Sequence, residues 1–173
     1  YEMTASLVGS EMCIRDSSDT TLPDGSVDNI TAAQAFHWFD AVSFAAECKR
    51  ILKPGGRVII VYNSRDEKAA CTMALAALRR KYSPEFHGFS NGISDEKCIA
   101  FFAGRCDIFR ADNTQVYDRQ GYIDRVLSSS YSLKEGDASF AEYLKEIGDI
   151  FDEFSENGSI AVPTATVAYS GIV

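Results

Sequence analysis

The sequence predicts an α/β fold built on a parallel sheet covered by helices, and three observations predict it. Val27 to Ala33, centred on Ile30 and Thr31, reads as a short strand. Asp40 is a good N-cap for a helix running to about Leu52, with an inner stripe of Phe44, Ala45, Cys48 and Leu52. "RVIIVYN", from Arg57, is an almost wholly apolar run, which is how a strand buried on both faces reads. Strand, helix and strand in this order form one βαβ unit, whose crossover has a fixed hand. A chain of 173 residues, 46% hydrophobic and 12% aromatic, has the length of one domain and the means to build a core.

The elements follow in order. "LVGSEMCIRDS", Leu7 to Ser17, shows neither a helical nor a strand period. It can be written in codons as the transposase-end adapter used to prepare sequencing libraries. Residues 1–17 are therefore read as a non-native scar, excluded from fold reasoning as tags are, and residues 18–173 as the C-terminal part of a single domain. Pro23-Asp24-Gly25-Ser26 supplies turn chemistry ahead of the first strand. "LKPGG" ends the first helix, because Pro54 cannot continue it and Gly55-Gly56 turns the chain. Asp66 to Arg80 reads as a second helix ending in basic residues that suit its C-terminal dipole. Residues 82–104, with Pro84, Gly88, Asn91-Gly92 and several phenylalanines, read as an insertion or lid. Arg105 to Ala111 is expected as a strand and Asp118 to Leu127 as a short helix. Phe140 to Phe154 carries the clearest amphipathic period, opened by a capping box from Ser139 to Glu142 and stopped at Asn157-Gly158. The tail "SIAVPTATVAY" is β-rich, with Pro163 marking an edge or a bulge.

Composition narrows the partners. The net charge is −8 and no Lys/Arg cluster stands out, which argues against a nucleic-acid groove or an anionic membrane surface. No apolar run approaches the length of a membrane span. Outside the scar the cysteines are Cys48, Cys71, Cys98 and Cys106. None are spaced as C-x-x-C, and with two histidines in the chain no metal site is expected. Reduced, mostly buried thiols in a cytoplasmic protein are the expectation.

No self-sufficient catalytic motif is present: no G-x-S-x-G, Walker loop, H-E-x-x-H or G-x-G-x-x-G. The pattern offers a location instead. In open α/β sheets ligands bind beyond the carboxyl ends of the strands, where "AAQAFHWFD" falls. Ala32, Ala33 and Ala35 leave backbone open to a close-packed ligand, while Gln34, His37 and Trp38 supply an amide, an imidazole and an indole.

At these residues the chain resembles a known family. "LPDGSVDNITAAQAFHWFD…ECKRILKPGGRVIIVYNSR" looks like the later half of a class I S-adenosylmethionine-dependent methyltransferase of the type 11 group, and the likeness continues to "TVAYSGIV". The resemblance implies an incomplete Rossmann-like, doubly wound sheet. It would be the C-terminal part of a seven-stranded fold with the last strand antiparallel. It implies S-adenosylmethionine as cofactor, a small-molecule methyl acceptor, and cofactor contacts from Asp19, Thr20, Ala33, Gln34 and Ala35. His37 is the implied catalytic residue, and Trp38, Arg125, Ser130 and Tyr131 are implied at the acceptor. The family's glycine-rich cofactor loop and acidic ribose ligand would precede Ser18, so the fragment is expected to be inactive alone.

Plainer roles stand beside these. His37 either orients substrate, accepts a proton, or starts a helix by bonding to backbone. Trp38 is a ligand wall or a packing wedge between helix and sheet. The serines near Tyr131 border an acceptor or end a helix in solvent. His87 reads as a surface loop residue, and Phe101-Phe102 as a lid or as core. Two other functions fit the pattern: a nicotinamide-dependent Rossmann oxidoreductase, and a non-catalytic member that binds a small molecule.

Overall fold

The computed structural model describes residues 19–89 and 93–173. The reading of residues 1–17 as a scar, and the Asn91-Gly92 turn, lie outside the described residues. The strands are β1 (Val27–Ala33), β2 (Leu52–Arg65), β3 (Cys106–Asp112), β4 (Gln115–Tyr117), β5 (Ile160–Val162) and β6 (Thr164–Gly171). The helices are α1 (Ala41–Ile51), α2 (Ala70–Tyr82), α3 (Asp95–Phe101), α4 (Arg119–Leu127) and α5 (Phe140–Phe154), with one 3-10 turn at Phe36–Trp38.

Four strands form a sheet in the order β1-β2-β6-β3, and β4 pairs antiparallel with β5 in a second, two-stranded sheet. β1 and β2 are parallel, as a βαβ unit requires, with Ile30 opposite Val58 and Ala33 opposite Val61. The last strand lies inside the sheet. Arg57, early in β2, donates to the Ser170 hydroxyl at 2.9 Å, and Thr166, early in β6, donates to Asn63 Oδ1 at 2.8 Å, late in β2. β6 therefore runs antiparallel to β2, as the resemblance implies for a last strand. No described helix is long and apolar enough to cross a membrane.

The chain divides into two compact units. Among the described residues, the first comprises 19–62, 93–109 and Ala168–Val173, and the second comprises 63–89 and Arg110–Val167. In the first unit, Phe36, Phe44 and Phe101 pack as a ring cluster, with centroids 4.9 Å apart for Phe36–Phe101 and 5.6 Å for Phe44–Phe101. Val58, Ile60 and Cys48 are fully buried beside the sheet. Burial of each such side chain contributes about 1.5–3 kcal/mol. Phe102 is a core residue, 1% exposed, and the half-buried Phe101 packs edge-on against it, centroids 5.0 Å apart. In the second unit, α5 packs on α2 and α4, and Leu75, Tyr122, Val126, Tyr143, Ile147 and Ile160 make its centre.

Three expectations are corrected. "LKPGG" does follow the end of the first helix at Ile51, but the next strand starts earlier than Arg57: β2 begins at Leu52 and carries the motif as a bulge, because the register shifts between Val27 and Asn29. Gly55 sits at φ +82°, and a Cβ on Gly56 would lie 2.8 Å from the Asp28 carbonyl, so both glycines are needed for that bulge. The second helix starts at Ala70 rather than Asp66, because the Asp66 carboxylate accepts the Lys68 N–H and fixes a local turn first. Within residues 82–104, α3 is a regular helix, which Ser94 caps through the Lys97 N–H. Ser139 makes no side-chain cap; its φ of −101° and ψ of 12° depart from the extended backbone that such a cap needs. The short strand β4 carries no period long enough to read from sequence.

Candidate functional site

The exit of β1 is built from the chain in three steps. Gln34, immediately after the strand, adopts φ +53°, a left-handed conformation that L-residues rarely hold, while its N–H still donates to the Val61 carbonyl at 2.9 Å. The 3-10 turn then drives Phe36 into the ring cluster, and Phe36 is only 5% exposed. Asp40 caps α1 by accepting the Ser43 N–H at 2.8 Å, as its sequence position predicts. With both ends pinned, the residues between them face outward: Ala33 and Gln34 are exposed, Ala35 and His37 half-exposed, and Trp38 is 79% exposed. Trp38 is therefore not the packing wedge; Phe36 is.

Tyr62 organises this loop. Its hydroxyl accepts the His37 N–H at 2.9 Å and lies 3.3 Å from His37 Nδ1. Burial holds the His37 imidazole below its ordinary pKa and pushes the Tyr62 phenol up, so both are neutral near pH 7. A neutral ring whose Nδ1 accepts the tyrosine hydrogen carries its single proton on Nε2. The His37 and Trp38 rings lie 4.7 Å apart.

A charged clasp secures the segment that precedes β1. Glu47, buried on α1, accepts from the Thr20 N–H at 2.8 Å, from the Thr20 hydroxyl at 2.5 Å, and from Arg50. Arg50 also donates to the carbonyls of Leu22 and Thr20 and to Asp24. The Arg50 guanidinium and the Thr20 donors lower the Glu47 carboxyl to about 2, against the opposing effect of burial. Thr20 thus spends its donors on Glu47, while the side chain of its neighbour Asp19 is exposed.

Arg125, Ser130 and Tyr131 belong to the second unit. Arg125 and Ser130 are exposed, and Arg125 reaches the Ser128 hydroxyl at 3.5 Å. The Tyr131 ring packs edge-on against Phe86, centroids 5.5 Å apart. His87 is exposed, as a surface loop residue should be.

Residues 3–60 match the family model described as a methyltransferase domain. The matched span starts inside the stretch read as a scar and ends in the second strand of the βαβ unit. An uncharacterized methyltransferase of Mycobacterium tuberculosis is 49% identical over 47 residues, which cover 27% of this chain and 19% of that protein. An uncharacterized methyltransferase-like protein of Schizosaccharomyces pombe is 34% identical over 68 residues, 39% of this chain and 27% of its own. The matches thus span well under half the length of these relatives. A solved structure from Anaeromyxobacter dehalogenans, described as a candidate type II methyltransferase, superposes with a TM-score of 0.63 at 19% identity, covering 92% of this chain and 70% of that one. The mixed α/β fold is therefore one seen in methyltransferase structures.

Three residues of this chain escape a reading of sequence alone. Tyr62 is hidden in an apolar strand, although a hydroxyl at the strand's end was the available signal. Arg65 and Arg79 read as solvated basic residues, yet Arg79 is 4% exposed and Arg65 half-buried. Helical spacing supplied the signal for Arg79: it lies seven residues after Thr72, on the buried stripe of α2.

Proposed function

We propose that the protein transfers a methyl group from S-adenosylmethionine to a small-molecule acceptor. The exit of β1 carries this reading: a strained, outward-facing loop at the carboxyl end of a parallel strand, within the segment that matches a methyltransferase domain. The residues fit the cofactor there, since Ala33 and Ala35 leave room beside the backbone and the Gln34 amide is exposed. Ala33, Gln34 and Ala35 would hold it, with Asp19 and Thr20 at the clasped segment. The cofactor supplies an electrophilic methyl group on a sulfonium.

The protein's own work is positioning, which suits a displacement that needs groups in line more than it needs covalent help. Tyr62 fixes the His37 ring, and the neutral ring presents Nε2–H as a donor. In that state His37 orients an acceptor oxygen rather than taking its proton, which suits an acceptor already ionised at neutral pH. Trp38 offers a flat wall beside it.

Turnover of the complete protein with S-adenosylmethionine and a panel of carboxylate, hydroxyl and carbon acceptors tests the reading. The expected result is that His37→Ala lowers kcat by roughly 100-fold, with the cofactor's dissociation constant little changed. Gln34→Ala should mainly raise that dissociation constant. Unchanged turnover in His37→Ala with every acceptor would make His37 a structural residue.

A further inference from the structure

The second unit buries a cation that no carboxylate among the described residues answers. Arg79 is 4% exposed, its Nε has no hydrogen-bond partner, and its contact with the Val126 carbonyl is long, at 3.5 Å. Its guanidinium sits over two aromatic rings, 5.6 Å from the centre of Phe86 and 5.3 Å from that of Phe89. Arg65 lies over the same Phe89 ring at 5.0 Å. The charges acting on Arg79 include those of Arg65 and Arg125, which repel it, and burial adds to the cost. Arg65 is likewise opposed by burial and by Arg125. Among the described residues, Arg65, Arg79 and Arg125 form no ion pair with a carboxylate.

Such an arrangement is costly. A guanidinium does not shed its proton inside a protein, and a buried charge without a counter-charge costs several kcal/mol. Stacking on Phe86 and Phe89 returns about 0.5–2 kcal/mol per contact and leaves the N–H donors unused. A second orphan points the same way: the Thr72 hydroxyl, 1% exposed and also without a partner, stands two turns earlier on the same stripe of α2, with the small Ala76 between them.

The geometry points to a binding site for a small molecule that carries an oxyanion, held by Arg79 and Arg65 with Arg125 at its exposed side. Phe86, Phe89 and Tyr131 wall the ligand's body, because Tyr131 packs on Phe86 and Phe86 on Phe89 at 5.1 Å. Planar, forked donors beside flat apolar walls match a carboxylate or a phosphate ester on an unsaturated or aromatic body. As the identity of the methyl acceptor, this inference rests on the proposed function; as a binding site, it does not.

Calorimetry on this chain, without cofactor, tests the site with benzoate, phenyl phosphate and the neutral, isosteric benzamide. At least one anion should bind, benzamide should bind at least tenfold more weakly, and Arg79→Met should remove the difference. Preference between benzoate and phenyl phosphate tells which oxyanion the site takes. If Arg79→Met fails to fold, Arg65→Met carries the same expectation. Binding of benzamide as tight as that of the anions, no binding by either anion, or anion binding unchanged in the variants would overturn the site. Because no methyl transfer is measured, a failure of the methyltransferase reading leaves this result standing, and the reverse also holds.

Discussion

The two units treat buried charge in opposite ways. In the first, the buried Glu47 has its answer within reach, held by Arg50 and Thr20, and nearer the surface Arg57 pairs with Asp107 and Lys53 with Asp28. In the second, Arg79 is as buried as Glu47, 4% against 6% exposed, and has no partner carboxylate. The first arrangement stabilises its own fold. The second makes sense only with something added. The contrast separates side chains that build the protein from side chains that face a ligand, and it does so by counting partners rather than by exposure.

The largest expected effect breaks the paired side of that contrast. Glu47→Ala strands Arg50 and both Thr20 donors, and should lower unfolding stability by about 3 kcal/mol. That is the low end for a buried pair, because Arg50 is 35% exposed. Arg79→Met, in the absence of ligand, should cost nothing or stabilise, since it replaces an unanswered charge by a flexible apolar chain of similar reach. Denaturant unfolding of both variants checks the pair. Equal losses would show that Arg79 has a protein partner after all.

Acid should separate the units next. The Glu47 pKa is lowered in the fold to about 2 from an ordinary 4.5. Above the ordinary value both folded and unfolded states are ionised, and the clasp contributes fully. As pH falls below it the unfolded state takes up a proton that the folded state refuses, so the contribution shrinks and is gone near the folded value. Stability should therefore fall between about pH 4.5 and 2, less steeply in Glu47→Gln than in the parent protein. The arginine cluster does not titrate there. Identical slopes in thermal melts across that range would remove Glu47 from the account.

Legibility follows the same division. β1 was readable to its limits, and so was α5, because a period carried by many residues outweighs any one of them. The Asp40 cap was readable because its chemistry is local. Whether Trp38 or its neighbour Phe36 is the wedge was not readable, since which ring turns inward depends on the 3-10 turn and not on residue type. Tyr62 and Arg79 were hidden for a related reason: each matters through residues distant in sequence, His37 for one and Phe86, Phe89 and Arg65 for the other. A single sequence records periods and caps, but it does not record which polar atoms end without a partner.

The smallest expected effect concerns Gln34, where the first unit too holds something unresolved by its own fold. A non-glycine residue at φ +53° costs on the order of 1 kcal/mol, and no contact of the exposed side chain explains why glutamine stands there. Gln34→Gly relieves the strain but loosens the unfolded chain, for a net gain of roughly 0.5 kcal/mol, or about 1–2 °C in the melting midpoint. Gln34→Ala keeps the strain and removes the amide, so its midpoint should not rise. Both variants should bind S-adenosylmethionine more weakly than the parent if the amide touches the cofactor. A gain in stability together with a loss of binding in Gln34→Gly would mean that the strain is kept for the side chain's sake. A gain in stability with binding intact would show that the left-handed turn, and not the amide, is what the loop contributes.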